Sequence, residues 1–301
     1  MIPYVRQFDF AYGRCDQVSP LIQRVICNNP GPFTYTGTAT FIIGGSEPGS
    51  EVAIIDPGPS DLEHLDAIIS ATSGRVIKYI LVTHRHLDHA PLSRALAERT
   101  GRPPILATAS TRVPTHASRA LDEDEDHDFI PDQFVTDGQI IKGDGWTLEA
   151  ILTPGHSSDH VAFGLIEENA LFSGDHVMGW STTIVAPPDG DMADYMASLE
   201  KIMTRDFQTL WPTHGPPVTA VAPFLVAYRQ HRLDREAQIL QALESGPRTI
   251  QDMVPQLYAA VDPKLWPAAS LSVLAHLFKL VKEGRVIADG TPDLSATYSR
   301  P

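Results

Sequence analysis

Short apolar runs, separated by turns rich in glycine and proline, mark most of the first 220 residues. The runs GTATFIIGG (residues 37–45) and EVAIIDPG (residues 51–58) are rich in β-branched residues, so they predict two paired strands. Later runs of the same kind predict further strands: VIKYILVTH (76–84), PILATA (104–109), TLEAILTPG (147–155) and HVAFGLIEENALFSGD (160–175).

Segments with helical periodicity lie between these runs. In SDLEHLDAIISAT (residues 60–72) apolar residues recur three and four positions apart, and Ser60 is of a type that caps helix starts. The segments APLSRALAERTG (90–101) and DMADYMASLEKIM (191–203) predict two more helices. Because strands and helices alternate, the pattern favours an α/β fold with helices covering sheets over a helical bundle.

The C-terminal part of the chain shows a different order of elements. The segment RVIADGTPDLSATYS (residues 285–299) predicts a strand, a turn and a strand, and it follows three helical segments. Those segments are DREAQILQALES (234–245), TIQDMVPQLYAAV (249–261) and SLSVLAHLFKLVKEG (270–284). This order is typical of a winged helix, so the sequence predicts two domains, residues 1–228 and residues 229–301.

The composition indicates a globular protein with a sizeable core. The chain has 301 residues, of which 43% are hydrophobic and 20% are charged. The start lacks the pattern of a secretory signal, and no stretch reaches the ~18 consecutive apolar residues of a membrane span. We therefore expect a cytoplasmic protein without a membrane partner. Cys15 and Cys27 form neither a CxxC pair nor a disulfide framework, so we expect two reduced thiols.

The formal net charge of −14 lies in the first predicted domain. Residues 1–228 carry a net charge of −15, and residues 229–301 carry +1. An acidic surface repels polyanions, but a locally positive pocket or bound metal ions would still attract a phosphate or a carboxylate.

The segment LVTHRHLDHA (residues 81–90) carries the strongest chemical signal. It follows an apolar run, so it lies where α/β folds place their reactive groups. His84 and His86 can point to one side of an extended segment, while Asp88 and His89 can reach a second point. Imidazole and carboxylate groups suit zinc and similar ions, and this spacing offers ligands to two metals.

Three later loops repeat one design, in which an apolar run and a turn precede a ligand-type residue. TPGHSSDH offers His156, LFSGDH offers Asp175, and LWPTHGP offers His214. A structural metal site closes its shell with four protein ligands, whereas seven ligands shared by two metals leave room for water. The pattern therefore favours catalysis over a metal-stabilised scaffold that binds DNA or a protein partner.

The order THxHxDH, GH, SGD and THG resembles the metallo-β-lactamase superfamily over about residues 20–220. The resemblance implies an αββα sandwich of two facing sheets and a binuclear site, with two zinc ions per chain and manganese or iron as alternatives. It assigns His84, His86 and His156 to the first metal, Asp88, His89 and His214 to the second, and Asp175 to both.

This sequence differs from several branches of the superfamily, and these differences restrict the reactions that we expect. True zinc β-lactamases usually have cysteine at the position of Asp175 and lack a counterpart of His89, so we do not expect β-lactam hydrolysis. The diiron flavodoxin-linked branch usually has glutamate at the position of His86, which argues against redox chemistry. Glyoxalase II-type thioesterases share every ligand but not a recognisable C-terminal region, so thioester hydrolysis stays open.

The sequence-based hypothesis is a binuclear hydrolase whose metal-bridging hydroxide attacks an ester, a thioester or a similar small electrophile. Asp88 would bind metal and orient the nucleophile. His160 and His176 flank ligands and are candidate catalytic residues as proton donors, with a supporting or purely structural role equally open. The superfamily's matching aspartate implies that Asp56 holds the ligand loop by hydrogen bonds. A substrate wall is expected from Trp180, Ser181 and Thr182.

The segments GDHVMGWSTTIVAPPDGDMADYMASLEK (174–201) and HRLDREAQIL (231–240), with the winged helix, resemble the β-lactamase-like protein 2 group. That group is linked to cleavage of single-stranded RNA, which makes a single-strand-specific endoribonuclease the alternative function. The expected basic face contains Lys279, Lys282 and Arg285 but also Glu283, so RNA is a weakly supported partner. We expect the winged helix to pack on the catalytic domain or on a second subunit and to shape one wall of the active-site cleft, which leaves a homodimer open.

Overall fold

The computed structural model of the protein describes residues 1–110 and 125–301. In these ranges the chain forms two facing sheets with helices outside each, followed by a C-terminal unit with a small third sheet. The helices are α1 Leu62–Ala71, α2 Leu92–Arg99, α3 Met192–Met203, α4 Val221–Ala242, α5 Ile250–Leu257 and α6 Trp266–Lys282. No helix in the described ranges is long and apolar enough to cross a membrane. Cys15 and Cys27 are both free, as expected.

The first sheet has the strand order β1-β2-β3-β4-β5-β6-β7 within the described residues. Its strands are β1 Cys15–Gln17, β2 Ile22–Ile26, β3 Ala39–Ile43, β4 Glu51–Ile55, β5 Val76–Leu81, β6 Ile105–Ala107 and β7 Gln133–Phe134. The neighbours from β4 to β7 pair in parallel. Their carboxyl ends therefore lie at one edge of the sheet, and the loops that follow β4 and β5 meet there.

The second sheet has the order β12-β11-β10-β9-β8 in the same part of the chain. Its strands are β8 Ile140–Gly143, β9 Trp146–Leu152, β10 Val161–Leu165, β11 Ala170–Gly174 and β12 Thr209–Pro212. Strands β11 and β12 are parallel, so the loops that follow them also share one edge.

The main core lies between the two sheets. Phe41 and Ile43 of β3 face the second sheet, whereas Ile42 faces the outer helices, as the two-residue period of a strand requires. The Phe41 ring lies against Phe172 of β11, with ring centroids 5.0 Å apart. Because β3 is buried on both faces, its apolar run is continuous rather than alternating.

Helices cover the outer faces of both sheets. Leu65 of α1 and Leu96 of α2 pack against the first sheet, and Leu199 of α3 and Phe224 of α4 pack against the second. The layers are therefore helix, sheet, sheet and helix, and the expected αββα sandwich is confirmed.

The start of α1 differs from the prediction by one residue. The N-cap is Asp61, not Ser60, because the Asp61 carboxylate accepts the backbone N–H groups of Glu63 and His64.

The C-terminal unit has the expected order of a winged helix. After α4 a 3-10 helix (Leu243–Ser245) leads to β13 Arg248–Thr249, α5, a second 3-10 helix (Pro263–Leu265) and α6, followed by β14 Ile287–Ala288 and β15 Thr297–Ser299. The three strands pair in the order β13-β15-β14. Ile239 of α4, Leu277 of α6 and Tyr298 of β15 belong to a separate core under this sheet.

Helix α4 joins the two units without a break. It begins at Val221, thirteen residues before the helix predicted from residue 234, so the predicted boundary between residues 228 and 229 lies inside it. Phe224 belongs to the core of the catalytic unit, while Ile239 belongs to that of the winged helix. Ala275 of α6 also packs into the catalytic unit's core. The winged helix is thus packed on the catalytic unit, and the division at residue 228 stays a prediction.

Truncating the aromatic centre of the main core should destabilise the fold. Phe172→Ala removes a ring buried between the two sheets, and we expect a loss of about 3–5 kcal/mol in the free energy of unfolding. Urea denaturation followed by circular dichroism measures this loss. Ile166→Ala is the matched control, because Ile166 is exposed. A Phe172→Ala protein as stable as the control would contradict the proposed core.

Candidate metal centre

The buried carboxylate of Asp56 holds the ligand loop that follows β5. Asp56 follows β4 with a left-handed backbone (φ 51°), a conformation that aspartate tolerates better than most residues. Its Oδ1 accepts the backbone N–H of Thr83 at 2.8 Å, and its Oδ2 accepts the Thr83 hydroxyl at 2.8 Å. Oδ2 also accepts His89 Nδ1–H at 2.8 Å and the Thr213 hydroxyl at 2.9 Å. Asp56 therefore has the role that the resemblance implied.

Three histidines form a first group of ligand atoms. His84 Nε2 lies 2.8 Å from His86 Nδ1, which lies 3.2 Å from His156 Nε2. His156 Nδ1–H donates to the carbonyl oxygen of Ile184 at 2.7 Å, which leaves its Nε2 facing the group. Burial, reinforced by the neighbouring imidazoles, lowers the pKa of His84 and His86 well below the ordinary value. These rings are therefore neutral, the form that binds metals.

A second group forms around Asp88. Its Oδ2 lies 3.0 Å from His214 Nε2, and its Oδ1 lies 3.5 Å from His89 Nε2. Burial opposes the charge of Asp88, but His89 and His214 lower the pKa of its carboxyl below the usual range. Burial likewise favours neutral His89, but Asp88, Asp56 and Asp175 raise its pKa to about 10. Without a metal, the second group therefore pairs an anionic Asp88 with a protonated His89, and a metal ion would have to displace that proton.

Asp175 lies between the two groups. Its Oδ2 is 3.8 Å from His156 Nε2, while its Oδ1 is 3.7 Å from His89 Nε2 and 3.5 Å from His214 Nε2. Asp175 Oδ1 and His89 Nε2 are buried and lack a hydrogen-bond partner among the described residues. Converging buried ligand atoms without partners fit metal ions.

All seven ligand residues expected from the sequence thus come together. They form three overlapping sets whose ligand atoms lie within 4.8 Å of one another: His84, His86 and His156; His84, His89 and Asp175; and Asp88, His89 and His214. The donor set of imidazole and carboxylate suits divalent transition metals.

The two other candidate catalytic residues lie behind the ligands. His160 Nε2 accepts the backbone N–H of Asp175 at 3.1 Å, so its Nδ1 carries the proton and donates to Thr153 Oγ1 at 2.8 Å. His176 packs against the Tyr195 ring, with centroids 4.9 Å apart, and burial lowers its pKa to about 3. Both rings are fully enclosed. This arrangement favours a supporting or structural role over proton donation to a substrate.

A cleft of about 440 Å³ opens beside the ligands. It is bordered by His156 and Asp175, and one wall contains the expected residues Trp180, Ser181 and Thr182. Another part of the lining comes from the winged helix, through Tyr258, Val261, Leu265, Ala268 and Ala269. The expectation that the C-terminal unit shapes the cleft therefore agrees with the structure.

A smaller cavity of about 230 Å³ lies over Asp88 and His214, under Pro32 and Phe33. Pro32 and Phe33 also border the larger cleft, so their loop separates the two spaces. Sequence analysis missed this loop, which the segment NNPGPFTYTG (residues 28–37) signals only by its glycine and proline content.

Asp56 gives a direct test of the ligand loop. Asp56→Asn replaces an acceptor of four hydrogen bonds by a group with only one acceptor oxygen, so His89 loses its anchor. We expect metal affinity to fall roughly 10- to 100-fold. Competition with a chelator measures it, and Asp66→Asn is the control because the Asp66 carboxylate is exposed and pairs with Arg99. Unchanged affinity in a folded Asp56→Asn protein would contradict this role.

Comparison with known proteins agrees with this geometry. The family model described as "Metallo-beta-lactamase superfamily" matches residues 35–214, and that described as "Beta-lactamase associated winged helix domain" matches residues 249–293. A relative from Caenorhabditis elegans, named "Beta-lactamase-like protein 2 homolog", is 34% identical over 275 residues, which cover 90% of this chain and 88% of the relative.

A relative from Aspergillus chevalieri, named "Atrochrysone carboxyl ACP thioesterase", is 31% identical over 259 residues, which cover 81% of this chain and 75% of the relative. The crystal structure of a beta-lactamase domain protein from Burkholderia ambifaria shares the fold, with a TM-score of 0.80 and 21% identity; the match covers 100% of this chain and 97% of that chain. The chain therefore belongs to the metallo-beta-lactamase superfamily, as a metal-dependent hydrolase that carries the associated winged helix domain.

Proposed function

We propose that this enzyme hydrolyses an ester or a thioester of a small-molecule substrate with two metal ions per chain, and that zinc is the native metal. The observation that carries the proposal is the orientation of Asp175, which turns one carboxylate oxygen toward His156 and the other toward His89 and His214. A carboxylate with that reach can contact two cations, and a shared ligand leaves coordination positions for water and substrate.

Each group of ligands has its part in this proposal. His84, His86 and His156 would hold the first ion, Asp88, His89 and His214 would hold the second, and Asp175 would be shared by both. When bound, the ions supply Lewis acidity, lower the pKa of water and stabilise negative charge on the reacting oxygen. Asp88 orients the nucleophilic water, since its side chain is 26% exposed and borders the smaller cavity. His160 acts as a positioning residue, because it accepts the backbone N–H of Asp175.

Two observations support a small substrate with an acyl group. The larger cleft has a volume of about 440 Å³, within the usual range of roughly 300–1,000 Å³ for small-molecule pockets. Its apolar wall from the winged helix suits a carbon chain or a ring. The Aspergillus chevalieri relative is named as a thioesterase, which supports a thioester as the reacting bond.

Two of the three cations expected on a basic face of the winged helix are paired within the protein, which argues against RNA as the substrate. Lys279 pairs with Glu236 and Glu283, and Arg285 pairs with the same two glutamates. Because these cations are neutralised within the protein, they offer little attraction to phosphates. Endoribonuclease activity and a scaffold role stay alternatives, and a homodimer and a cytoplasmic location stay predictions.

Metal content tests the proposed site. The purified protein should hold close to two transition-metal ions per chain, as measured by elemental analysis. Asp175→Ala should weaken binding of both ions, whereas His156→Ala should mainly empty the first position. Thr204→Ala is a surface control, because Thr204 is exposed and its hydroxyl donates to the carbonyl oxygen of Lys201 in α3. A fully loaded, active protein with one ion, or unchanged content after replacement of His214, would overturn the ligand set.

Turnover tests the reaction. The metal-loaded enzyme is assayed in parallel on an aryl ester, a thioester, a lactone, a β-lactam and a single-stranded RNA oligonucleotide. We expect turnover of the thioester or the ester, and a drop on the order of a thousandfold in kcat/KM for Asp175→Ala, since metal ions supply several kcal/mol of transition-state stabilisation. RNA cleavage that Asp175→Ala abolishes, without turnover of any ester or thioester, would establish the nuclease instead.

A further inference from the structure

Arg232 is a buried cation on the wall of the larger cleft. It belongs to α4, is 3% exposed, and borders the cleft together with His156 and Asp175. In the described part of the chain, no carboxylate oxygen lies within 4.0 Å of a guanidinium nitrogen of Arg232, which is the distance limit for an ion pair. A buried charge without a counter-ion is unfavourable, so its presence beside a reactive centre requires an explanation.

Internal contacts orient Arg232 but do not neutralise it. Its Nη2 donates to the carbonyl oxygen of Thr183, and its guanidinium carbon lies 4.9 Å from the centroid of the Tyr195 ring. The Thr183 hydroxyl in turn donates to the carbonyl oxygen of Asp175 at 2.6 Å, so Arg232 is linked to a ligand residue through one threonine. Its Nε has no hydrogen-bond partner among the residues described. The guanidinium therefore has a fixed position, an unused donor and an uncompensated charge.

The rest of the cleft lining repeats this excess of positive charge and of donors. Arg6 and Arg235 also border the cleft, and Asp175 is the one carboxylate in the described lining. Arg235 Nε and Trp180 Nε1 are buried donors for which the described residues supply no acceptor. Three arginines, one from the N-terminal segment and two that lie three residues apart on α4, thus border one cleft of a protein whose net charge is −14. In an acidic protein, random placement of charged residues would rarely bring three arginines to one cleft.

We propose that Arg232 is the centre of an anion-binding subsite, supported by Arg235 and Arg6, that binds a carboxylate or phosphate group of the substrate. The guanidinium fork matches both oxyanions, which share the geometry of two acceptor oxygens. The preferred substrate is then an ester or thioester that carries a negative charge away from the scissile bond, with its carbon skeleton along Val261 and Leu265. This inference rests on the proposed hydrolysis and specifies its substrate class.

Two pairs of substrates distinguish the sources of the anion. The first pair is the glutaryl thioester of N-acetylcysteamine and its amide analogue, which replaces the terminal carboxylate by a neutral group of the same shape. The second is a pentanoyl thioester of 4′-phosphopantetheine and one of pantetheine, which differ by the phosphate on the leaving group. We expect kcat/KM of the metal-loaded enzyme to be roughly 10- to 100-fold higher for the charged member of one pair, as a charged hydrogen bond implies.

Replacing Arg232 should remove this preference. In Arg232→Met, which keeps an unbranched side chain but removes the guanidinium group, the ratio between the charged and the neutral member should fall to about one, mainly through KM. Arg232→Lys should restore part of it. Arg229→Met is the matched control, because Arg229 lies on the same helix, is partly exposed and pairs with Glu200. If Arg232→Met does not fold, Arg235→Met and Arg6→Met take its place and should reduce the same ratio.

A binding measurement separates this subsite from the proposed reaction. The affinity for glutarate or phenyl phosphate is measured by calorimetric titration of the metal-loaded enzyme. In every variant this affinity includes any contact of the anion with the metals, so only the difference in affinity between variants reports on Arg232. We expect roughly tenfold weaker binding in Arg232→Met than in Arg229→Met.

Each result then has one meaning. Anion binding that depends on Arg232, without turnover of any ester or thioester, would support the subsite and overturn the proposed reaction. Turnover of esters with no preference for the charged member of either pair, and equal anion affinity in the two variants, would overturn the subsite and leave the reaction standing.

Discussion

The carboxylate of Asp56 is the constraint on which the arrangement of the ligands depends. It is fully buried, so it needs donors, and it receives them from the loop after β5 and from Thr213 after β12. Those two elements belong to different sheets. The same carboxylate therefore joins the sheets at the edge where the candidate metal ligands gather, and it turns His89 so that Nε2 faces Asp88 and Asp175. Site geometry and sheet packing are thus not independent.

The features that sequence analysis predicted correctly are local. The apolar runs of β3 and β11 predict strands correctly, because both strands are buried on both faces and therefore have continuous apolar sequences. The ligand-type residues follow such runs directly. Strands β9, β11 and β12 run in the same direction, so the residues that follow them lie at the same edge of the sheet. For that reason His156, Asp175 and His214 were identifiable from one chain, although they are far apart in sequence.

The features that sequence analysis missed depend on contacts between distant segments. The buried face of α4 includes Arg232 and Glu236, which a hydrophobic pattern assigns to the exposed face, so the helix was predicted to begin at residue 234. Arg6 reaches the cleft from an N-terminal segment without a helix or strand. The neutralisation of Lys279 by Glu236 joins α6 to α4, and spacing along one helix cannot reveal it.

Helix α4 spans 22 residues and belongs to two hydrophobic cores, one at each end. The candidate metal ligands precede it in the chain, whereas the apolar wall of the cleft follows it. Selection can therefore act on the two parts separately: substitutions along Tyr258, Val261 and Leu265 alter the shape of the wall without touching a metal ligand. Such a division lets a lineage acquire new substrates while the reaction is inherited unchanged.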